Sequence, residues 1–383
     1  MKHIIAGTRC RDGGHRVNGV RFLFWMIFPL VILTGCGIFQ SSDKGAEAPG
    51  VFIAAEWNVQ ALFDGYEKGN EYSEYREAAG WTAEKYAARI TAISQAVQQM
   101  VKETVPDFIG FIEIENAGAL DDLCRGSLAK HGYFWNAFAN LPGASLGLGV
   151  LSRFPLLEVR AHSITVEKQT APRPVLELRV APGGKPLVFL LCHWKSKLGG
   201  EDATEAMRRS SARVVQRRLR ELRESEAETP VIVMGDLNEN HDEFYRRSVF
   251  SALLPDDPDA AAMAIRAPKE FLVLSREKPP RSRFFEGVPA LYSPWGEELA
   301  DGSYCYRDNW ETIDHLLLSD ALFTGSGWDY ADSRVLNHAP FAASNGFPDT
   351  YVPRTGRGLS DHLPLLLYLR DSTGKTGPEQ KRR

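Results

Sequence analysis

Residues 231–238 read Val-Ile-Val-Met-Gly-Asp-Leu-Asn, and this stretch decides the fold. The apolar run at its start predicts a strand that is buried on both faces. Gly235 is expected to let the backbone turn where the strand ends. Asp236 and Asn238 follow two residues apart, so they are expected to face the same side. A carboxylate beside a carboxamide suits a phosphate and an attacking water, although the same pair is also typical of a turn.

The rest of the chain predicts a layered α/β domain. Residues 82–103 and 203–224 have the apolar spacing of helices, and each of these segments precedes an apolar strand. The segment 256–289 is rich in proline, alanine and charge, and we interpret it as an excursion within one domain that spans 51–370. The predicted strands are 51–57, 108–114, 147–152, 175–180, 187–192, 231–234 and 363–369.

Composition excludes a fibre, a disordered chain and a strongly basic protein. The 383 residues are 44% hydrophobic and 25% charged, which is ordinary for a soluble globular protein. The formal net charge is −4, so no overall positive field would hold a phosphate backbone. Any contact with nucleic acid must therefore be local.

The N-terminus has the pattern of a bacterial export signal. Basic residues precede an apolar run at 22–33, which is too short to span a membrane stably. The run closes with Leu33-Thr34-Gly35-Cys36, which resembles the lipobox and implies removal of residues 1–35 and lipidation of Cys36. Residues 36–50 would form the lipidated tether. The alternative is an uncleaved transmembrane anchor, and either would place the domain outside the cytoplasm.

Chemically useful side chains stand at the ends of the predicted strands. Mg²⁺ needs only one or two carboxylates beside water. Imidazole and ammonium groups could stabilise charge on a phosphoryl or leaving oxygen. Asp314 lies inside an apolar run, so it needs a partner, for which a histidine is natural. The candidates in chain order are Asn58, Glu113, His193, Lys195, Lys197, Asp236, Asn238, Asp314, Asp361 and His362.

Together these clusters resemble the endonuclease/exonuclease/phosphatase superfamily of DNase I-like folds. Gly-Asp-x-Asn at 235–238, Ile-Asp-His at 313–315 and Ser-Asp-His-x-Pro at 360–364 occur in the order of that family, and their combination is specific. The resemblance covers about 51–369. It implies a four-layered α/β sandwich in which two mixed sheets face each other and the active site lies where strand ends converge.

The resemblance also implies roles for the candidates. Glu113 and Asp361 would be metal ligands, Asp361 directly or through water, and Asn58 would support the metal and the phosphate. Asp236 and Asn238 would handle the attacking water and the phosphate. His193 and His362 would be the catalytic histidines, and Asp314 would orient His362. Members of the family differ in the general base, so the choice between Asp236 and His362 stays open.

The surrounding residues look most like secreted bacterial nucleases. The features are Glu-Ile-Glu-Asn at 113–116, Arg-Pro at 173–174 and His-Trp-Lys-Ser-Lys at 193–197, where Trp194 replaces the usual phenylalanine of that subgroup. Arg173, Lys195, Lys197 and Arg208 then become candidate phosphate contacts. For Arg208 a solvated helix surface is an equally good interpretation.

The sequence therefore predicts an extracytoplasmic phosphodiesterase that depends on Mg²⁺, with Mn²⁺ or Ca²⁺ as alternatives, and hydrolyses DNA or RNA. A phosphatase or phospholipase acting on inositol phosphates or sphingomyelin would share the same catalytic set. A surface lipoprotein that keeps the fold only for binding is a third hypothesis. We expect a monomer that is anchored to the outer membrane or cell surface through Cys36, or released from it, with a charged tail at 371–383. No protein partner is inferred.

Overall fold

The computed structural model describes Ile4–Ile5 and residues 50–166, 169–171, 173–265, 269–297 and 299–373. Nearly all of the predicted signal peptide, with Cys36 and most of the tether and tail, lies outside the described residues. Among the helices of the described residues, none is both long enough and apolar enough to cross a membrane.

The described residues form five α-helices and nineteen strands. The helices are α1 Ala83–Val97, α2 Ala117–Arg125, α3 Glu201–Glu226, α4 Glu243–Arg247 and α5 Pro258–Ala264. The strands are β1 Ile4–Ile5, β2 Val51–Leu62, β3 Phe108–Ile114, β4 Trp135–Ala139, β5 Gly147–Ser152, β6 Glu158–His162, β7 Thr165–Val166, β8 Gln169–Thr170, β9 Val175–Val180, β10 Leu187–His193, β11 Val231–Asp236, β12 Leu253–Pro255, β13 Leu272–Ser275, β14 Ala290–Tyr292, β15 Tyr304–Tyr306, β16 Asn309–Glu311, β17 Asp314–Leu318, β18 Trp328–Val335 and β19 Leu365–Asp371. Short 3₁₀ helices lie at Ser73–Tyr75, Glu77–Ala79, Ala129–His131, Pro182–Gly184, Pro294–Glu297 and Asp320–Phe323.

Two mixed sheets face each other, as predicted. The first has the strand order β1-β4-β5-β3-β2-β19-β18, and the second has the order β12-β13-β14-β17-β11-β10-β9-β6. Apolar side chains of both inner faces form one core, in which the rings of Phe108 and Phe189 stack with centroids 4.0 Å apart. The helix α1 packs on the first sheet and α3 on the second, so the four-layered α/β sandwich is confirmed.

The helix α3 matches its predicted bounds within two residues, whereas α1 begins where predicted but ends at Val97, six residues before the predicted end. The hydroxyl of Thr82 accepts the backbone N–H of Lys85 and caps α1. Val214, Leu219 and Leu222 of α3 pack against the outer face of the second sheet. The segment 256–289 is less irregular than predicted. It supplies the helix α5 and the strand β13, which is an internal strand of the second sheet.

Position 235 requires glycine for a reason other than the predicted turn. It lies inside β11 with φ of 123°, a region that glycine occupies without strain. A Cβ atom there would lie 2.1 Å from the carbonyl oxygen of Cys192 on the neighbouring strand. The glycine therefore permits close approach of β10 and β11 just before both strands deliver their polar ends.

Candidate active site

Three chemically active side chains lie in one row across the edge of the second sheet. His193 is the last residue of β10, Asp236 is the last of β11, and Asp314 is the first of β17. The strand register pairs His193 with Asp236 and Asp236 with Asp314. The Nε2 atom of His193 lies 3.6 Å from Oδ2 of Asp236. Sheet pairing alone therefore brings together residues that are more than a hundred positions apart in the chain.

Two neighbouring bulges in the first sheet direct side chains of that sheet towards this row. The pairing of β2 with β3 shifts register after Asn58, and that of β3 with β5 shifts around Glu113. Glu113 itself has φ of 70°, a sparsely populated conformation for a side-chain-bearing residue. Its carboxylate accepts the backbone N–H of Ala61 at 2.8 Å. Such bulges are common next to active sites because they redirect a side chain, and here they turn Glu113 towards His193, 3.9 Å away.

Asn58 joins the two sheets at the site. Its side-chain amide donates to Oδ2 of Asp236 at 3.2 Å. The other carboxylate oxygen of Asp236 accepts the backbone N–H of Asn238 at 2.9 Å, which is the hydrogen bond of a turn. Asn238 has φ of 53°, and its side-chain amide donates to the carbonyl of Trp194. The turn at residues 236–238 is therefore present, and it leaves Asp236 in contact with Asn58 of the other sheet.

His362 and Asp314 form the predicted pair. The Nδ1 atom of His362 lies 2.8 Å from Oδ2 of Asp314, and that oxygen also accepts the hydroxyl of Ser303 at 2.6 Å. The backbone of His362 is fixed as well, because its N–H donates to the hydroxyl oxygen of Ser360 and its carbonyl accepts the indole N–H of Trp57. The ring can therefore present only Nε2 to a ligand.

Charge in the site is unevenly compensated. Burial and the nearby Asp314 raise the pKa of Asp236 to about 7. Burial raises the pKa of Glu113, and Asp361 raises it further. Burial alone would lower the pKa of His362, but Asp314 outweighs it and holds that pKa well above its usual value. His193 is affected in the opposite direction, since burial and then Arg173 lower its pKa, so it is neutral.

This donor set fits a divalent cation. Several carboxyl groups are crowded together with raised pKa values, and Oδ1 of Asp314 has no hydrogen-bond partner among the described residues. Ligand atoms of Asp236, Asp314 and His362 lie within 4.8 Å of one another. His362 is charged and already bonded to Asp314, however, so it is a poor ligand. Glu113, Asp361 and Asn58 suit a hard cation better, because they offer oxygen atoms.

Arg173 and Lys195 lie at the rim of the site. Arg173 donates to the carbonyl of Trp194 at 3.4 Å, and its charge lowers the pKa of His193. Lys195 has no carboxylate partner among the described residues, and its ammonium group donates to the carbonyls of Ser196 and Leu198. Neither cation is paired with a carboxylate in the part of the chain that the structure describes, so a phosphate contact stays a prediction for both.

The other two predicted phosphate contacts are engaged elsewhere. Lys197 is 3.0 Å from a carboxylate oxygen of Glu243 and 3.4 Å from one of Glu311. Arg208 is fully buried, and both a phosphate contact and a solvated helix surface are wrong for it. Its guanidinium group pairs with Glu205 and Glu239 at 2.7 and 3.0 Å. Burial with satisfied donors makes Arg208 part of the packing between α3 and the sheet edge.

The structure also places residues at the site that sequence reasoning passed over. Glu56 is completely buried two residues before Asn58, and neither of its carboxyl oxygens has a hydrogen-bond partner among the described residues. Strand alternation could have indicated that it shares a face with Asn58. Tyr304 begins the strand β15 and Ser303 directly precedes it, and the ring centroid of Tyr304 lies 4.7 Å from that of His362. No local signal in the sequence marks either of them.

The comparisons with known proteins agree with this geometry. The model of the endonuclease/exonuclease/phosphatase family matches residues 53–263, so the chain belongs to that family. Family membership and the fold together support a phosphoric ester hydrolase, and enzymes of this family generally depend on divalent metals.

Solved structures with the same fold include two TDP2 proteins. TDP2 from C. elegans has a TM-score of 0.50 and 13% identity, covering 84% of this chain and 75% of its own. D. rerio TDP2, crystallised with a single-strand DNA product, has a TM-score of 0.50 and 14% identity, covering 84% of this chain and 99% of its own. Similarity at this level shows the fold alone. No curated protein sequence matches the chain.

Proposed function

We propose that the protein is a divalent-metal-dependent phosphodiesterase that hydrolyses DNA or RNA outside the cytoplasm. The observation that carries the proposal is the convergence of polar side chains from both sheets at one place. They are Asn58, Glu113, His193, Asp236, Asp314 and His362. Nucleic acid is the first substrate to test, because D. rerio TDP2 of the same fold was crystallised with a DNA product.

The geometry favours Asp236 as the general base. A pKa of about 7 lets its carboxylate take a proton from the attacking water near neutral pH. Asn58 and the backbone of Asn238 hold the two carboxylate oxygens, so the base has a fixed orientation. Attack in line with the leaving oxygen would then proceed at phosphorus.

Charge that develops on phosphorus is met by the two histidines and the rim cations. Neutral His193 donates a hydrogen bond to a phosphoryl oxygen, and charged His362 stabilises the negative charge of the transition state. Arg173 and Lys195 hold the substrate phosphate. A divalent cation held by Glu113, Asp361 and Asn58 would neutralise charge and polarise the phosphoryl oxygen.

Lipidation of Cys36 would hold the enzyme on the outer membrane or cell surface. The proposal rests on the lipobox-like residues 33–36 and the apolar run before them. Labelling with a radioactive or clickable fatty acid in the producing bacterium tests it. Incorporation into the wild type and not into Cys36→Ala is expected, whereas equal labelling of both proteins would refute it.

Parallel hydrolysis assays test the proposed activity. The purified protein, residues 37–383, is given single- and double-stranded DNA, RNA, an inositol polyphosphate and sphingomyelin, each with Mg²⁺ and with chelator. We expect cleavage of nucleic acid with metal only, and loss of cleavage in Asp236→Asn. Turnover of sphingomyelin or the inositol phosphate alone would replace the nuclease proposal. Undiminished activity in Asp236→Asn would refute the site.

A further inference from the structure

A second cavity opens at the same edge of the second sheet as the catalytic row. Its volume is about 270 Å³. The residues after β12, β13 and β14, including Asp256, Arg276 and Ser293, line it, together with His241 from the loop after β11. These strands run parallel to β11, as their pairing shows, so all of their carboxyl ends lie at one edge. Open α/β sheets bind ligands at this edge.

The cavity is connected to the catalytic pair through Trp295. The indole N–H of Trp295 donates to the carbonyl of Asp314 at 2.8 Å. Its ring stacks on that of His241, which lines the cavity, with centroids 6.3 Å apart. The strand β14 is two positions from β11 and β13 is three. At about 4.8 Å per strand, the cavity lies about 10–15 Å from Asp236 along the edge.

Polar groups inside the cavity lack partners. The hydroxyl of Ser293 is buried, with the residue only 5% exposed, and it has no hydrogen-bond partner among the described residues. The oxygen of Ser275 accepts two backbone N–H groups, those of Glu277 and Arg281, so its hydroxyl hydrogen is free to donate. Arg276 is exposed and makes no ion pair in the described part of the chain. A ligand with acceptors and donors would satisfy these groups.

The lining favours a flat, uncharged ligand over an anion. The lining carries two arginines, Arg276 and Arg283, and two carboxylates, Asp256 and Glu277. Arg283 pairs with Glu277, and Asp256 accepts two backbone N–H groups. The formal charges of these four side chains cancel. Ring-bearing side chains complete the wall, namely His241, Tyr245 and Phe284. The volume falls below the roughly 300–1,000 Å³ of drug-sized ligand sites, which suits a single ring system.

We propose that this cavity binds one nucleobase of a single-stranded nucleic acid whose phosphodiester is cleaved at Asp236. The inference rests on the proposed nuclease function and names a substrate subsite for it. Aromatic faces and an arginine stack on a base, while hydroxyls bond its edge. Residues 256–289, whose sequence gave no function, thus build most of the walls of this subsite.

Variants of two exposed lining residues test the subsite. Arg276→Ala and Phe284→Ala are compared with wild type on a single-stranded oligonucleotide and on methyl p-nitrophenyl phosphate, which has a scissile diester and no nucleobase. Base stacking contributes about 1–3 kcal/mol, so KM for the oligonucleotide should rise about 5- to 160-fold. The small diester should be cleaved at the wild-type rate. Arg160→Ala and Leu157→Ala, exposed residues away from the cavity, serve as matched controls.

Two outcomes overturn the inference. One is an oligonucleotide KM within twofold of wild type in both variants, and the other is an equal loss on both substrates. Calorimetric binding of free nucleosides separates the subsite from the proposed function, because it needs no turnover. Nucleoside binding that is present in wild type and lost in Arg276→Ala supports the proposed subsite. This holds even if wild type cleaves neither substrate, a result that would refute only the nuclease proposal. Absence of nucleoside binding in wild type refutes the cavity.

Discussion

Two clusters of buried charge lie at the same edge of the second sheet, and they differ in how that charge is balanced. Around Arg208, one guanidinium group meets the carboxyl groups of Glu205 and Glu239, and the backbone of Leu253 donates to Glu239 as well. Burial and the neighbouring Glu205 raise the pKa of Glu239, and Arg208 pairs with both carboxyl groups, so the charge of this cluster is compensated from within.

The catalytic cluster is not balanced in that way. Glu56, Glu113, Asp236 and Asp361 all have pKa values raised first by burial. His362 is the one charged histidine among them in the described residues, and it is already paired with Asp314. A protein tolerates such an excess of buried negative charge where a cation or a reacting group completes it. The comparison therefore distinguishes the Arg208 cluster, whose charges stabilise the fold, from the catalytic cluster, whose charges are suited to binding a cation and substrate.

The largest expected effect is on catalysis. His362→Ala removes the charge that stabilises the transition state, and the rate of diester hydrolysis should fall about 10³-fold or more. Loss of the pair with Asp314 should lower the free energy of unfolding. Asp314 keeps the hydrogen bond from the Ser303 hydroxyl, so the protein should remain folded. Initial rates with saturating metal measure the loss, and circular dichroism controls for folding. A rate within tenfold of wild type would place His362 outside the chemistry.

Arg208→Ala should affect the fold most. It leaves two buried carboxyl groups without their partner, and breaking a buried pair in this way costs about 3–5 kcal/mol. Urea unfolding with chelator present measures the change in the free energy of unfolding. The exposed Arg217→Ala on the same helix is the matched control, with a change of less than about 1 kcal/mol expected. Equal effects of the two variants would contradict the structural role of Arg208.

The pH dependence of the free energy of unfolding should reveal the uncompensated carboxyl groups of the catalytic cluster. The pKa of Asp236 is about 7 in the folded protein and about 4 when unfolded, so the folded state binds the extra proton between these values. The contribution of this proton to the free energy of unfolding is fully present below pH 4 and is lost as pH rises through 7. Without metal, wild type should therefore lose about 4 kcal/mol relative to Asp236→Asn across that window. Parallel curves for the two proteins would contradict the raised pKa.

The smallest expected effect separates two neighbouring lysines. Lys195→Met should raise KM for a phosphodiester about tenfold, because no carboxylate among the described residues neutralises its ammonium group. Lys197→Met should change KM less than threefold, since Glu243 and Glu311 already hold its charge. Steady-state kinetics of both variants, compared with each other, provide the measurement. A larger KM change for Lys197→Met would reverse the assignment.

Much of this site could be predicted from sequence because strand ends carry it. The apolar runs before Glu113, His193 and Asp236 indicate where each strand ends, and these ends meet where the two sheets face each other. The turn and the site proposed for Asp236 need not have competed, since one carboxylate oxygen makes the turn and the other faces Asn58.

Arg208 could not be placed in the same way. A helix face with many arginines indicates solvent exposure, and the carboxylate of Glu239 that buries this arginine is 31 positions away. The second cavity depends similarly on β13, whose short apolar run lies in a segment with no periodic pattern. Contacts between distant segments decide both features, and no local pattern encodes them.

The central claim is that the unbalanced cluster takes up a divalent cation for hydrolysis, and calorimetric titration of the metal-free protein tests it most directly. The account predicts saturable binding of Mg²⁺ or Mn²⁺ to wild type, a higher melting temperature with metal, and loss of both in Glu113→Gln. Arg213→Ala, an exposed arginine paired with Glu270, should bind metal like wild type. Absence of binding to wild type, or binding unchanged in Glu113→Gln, would contradict the account.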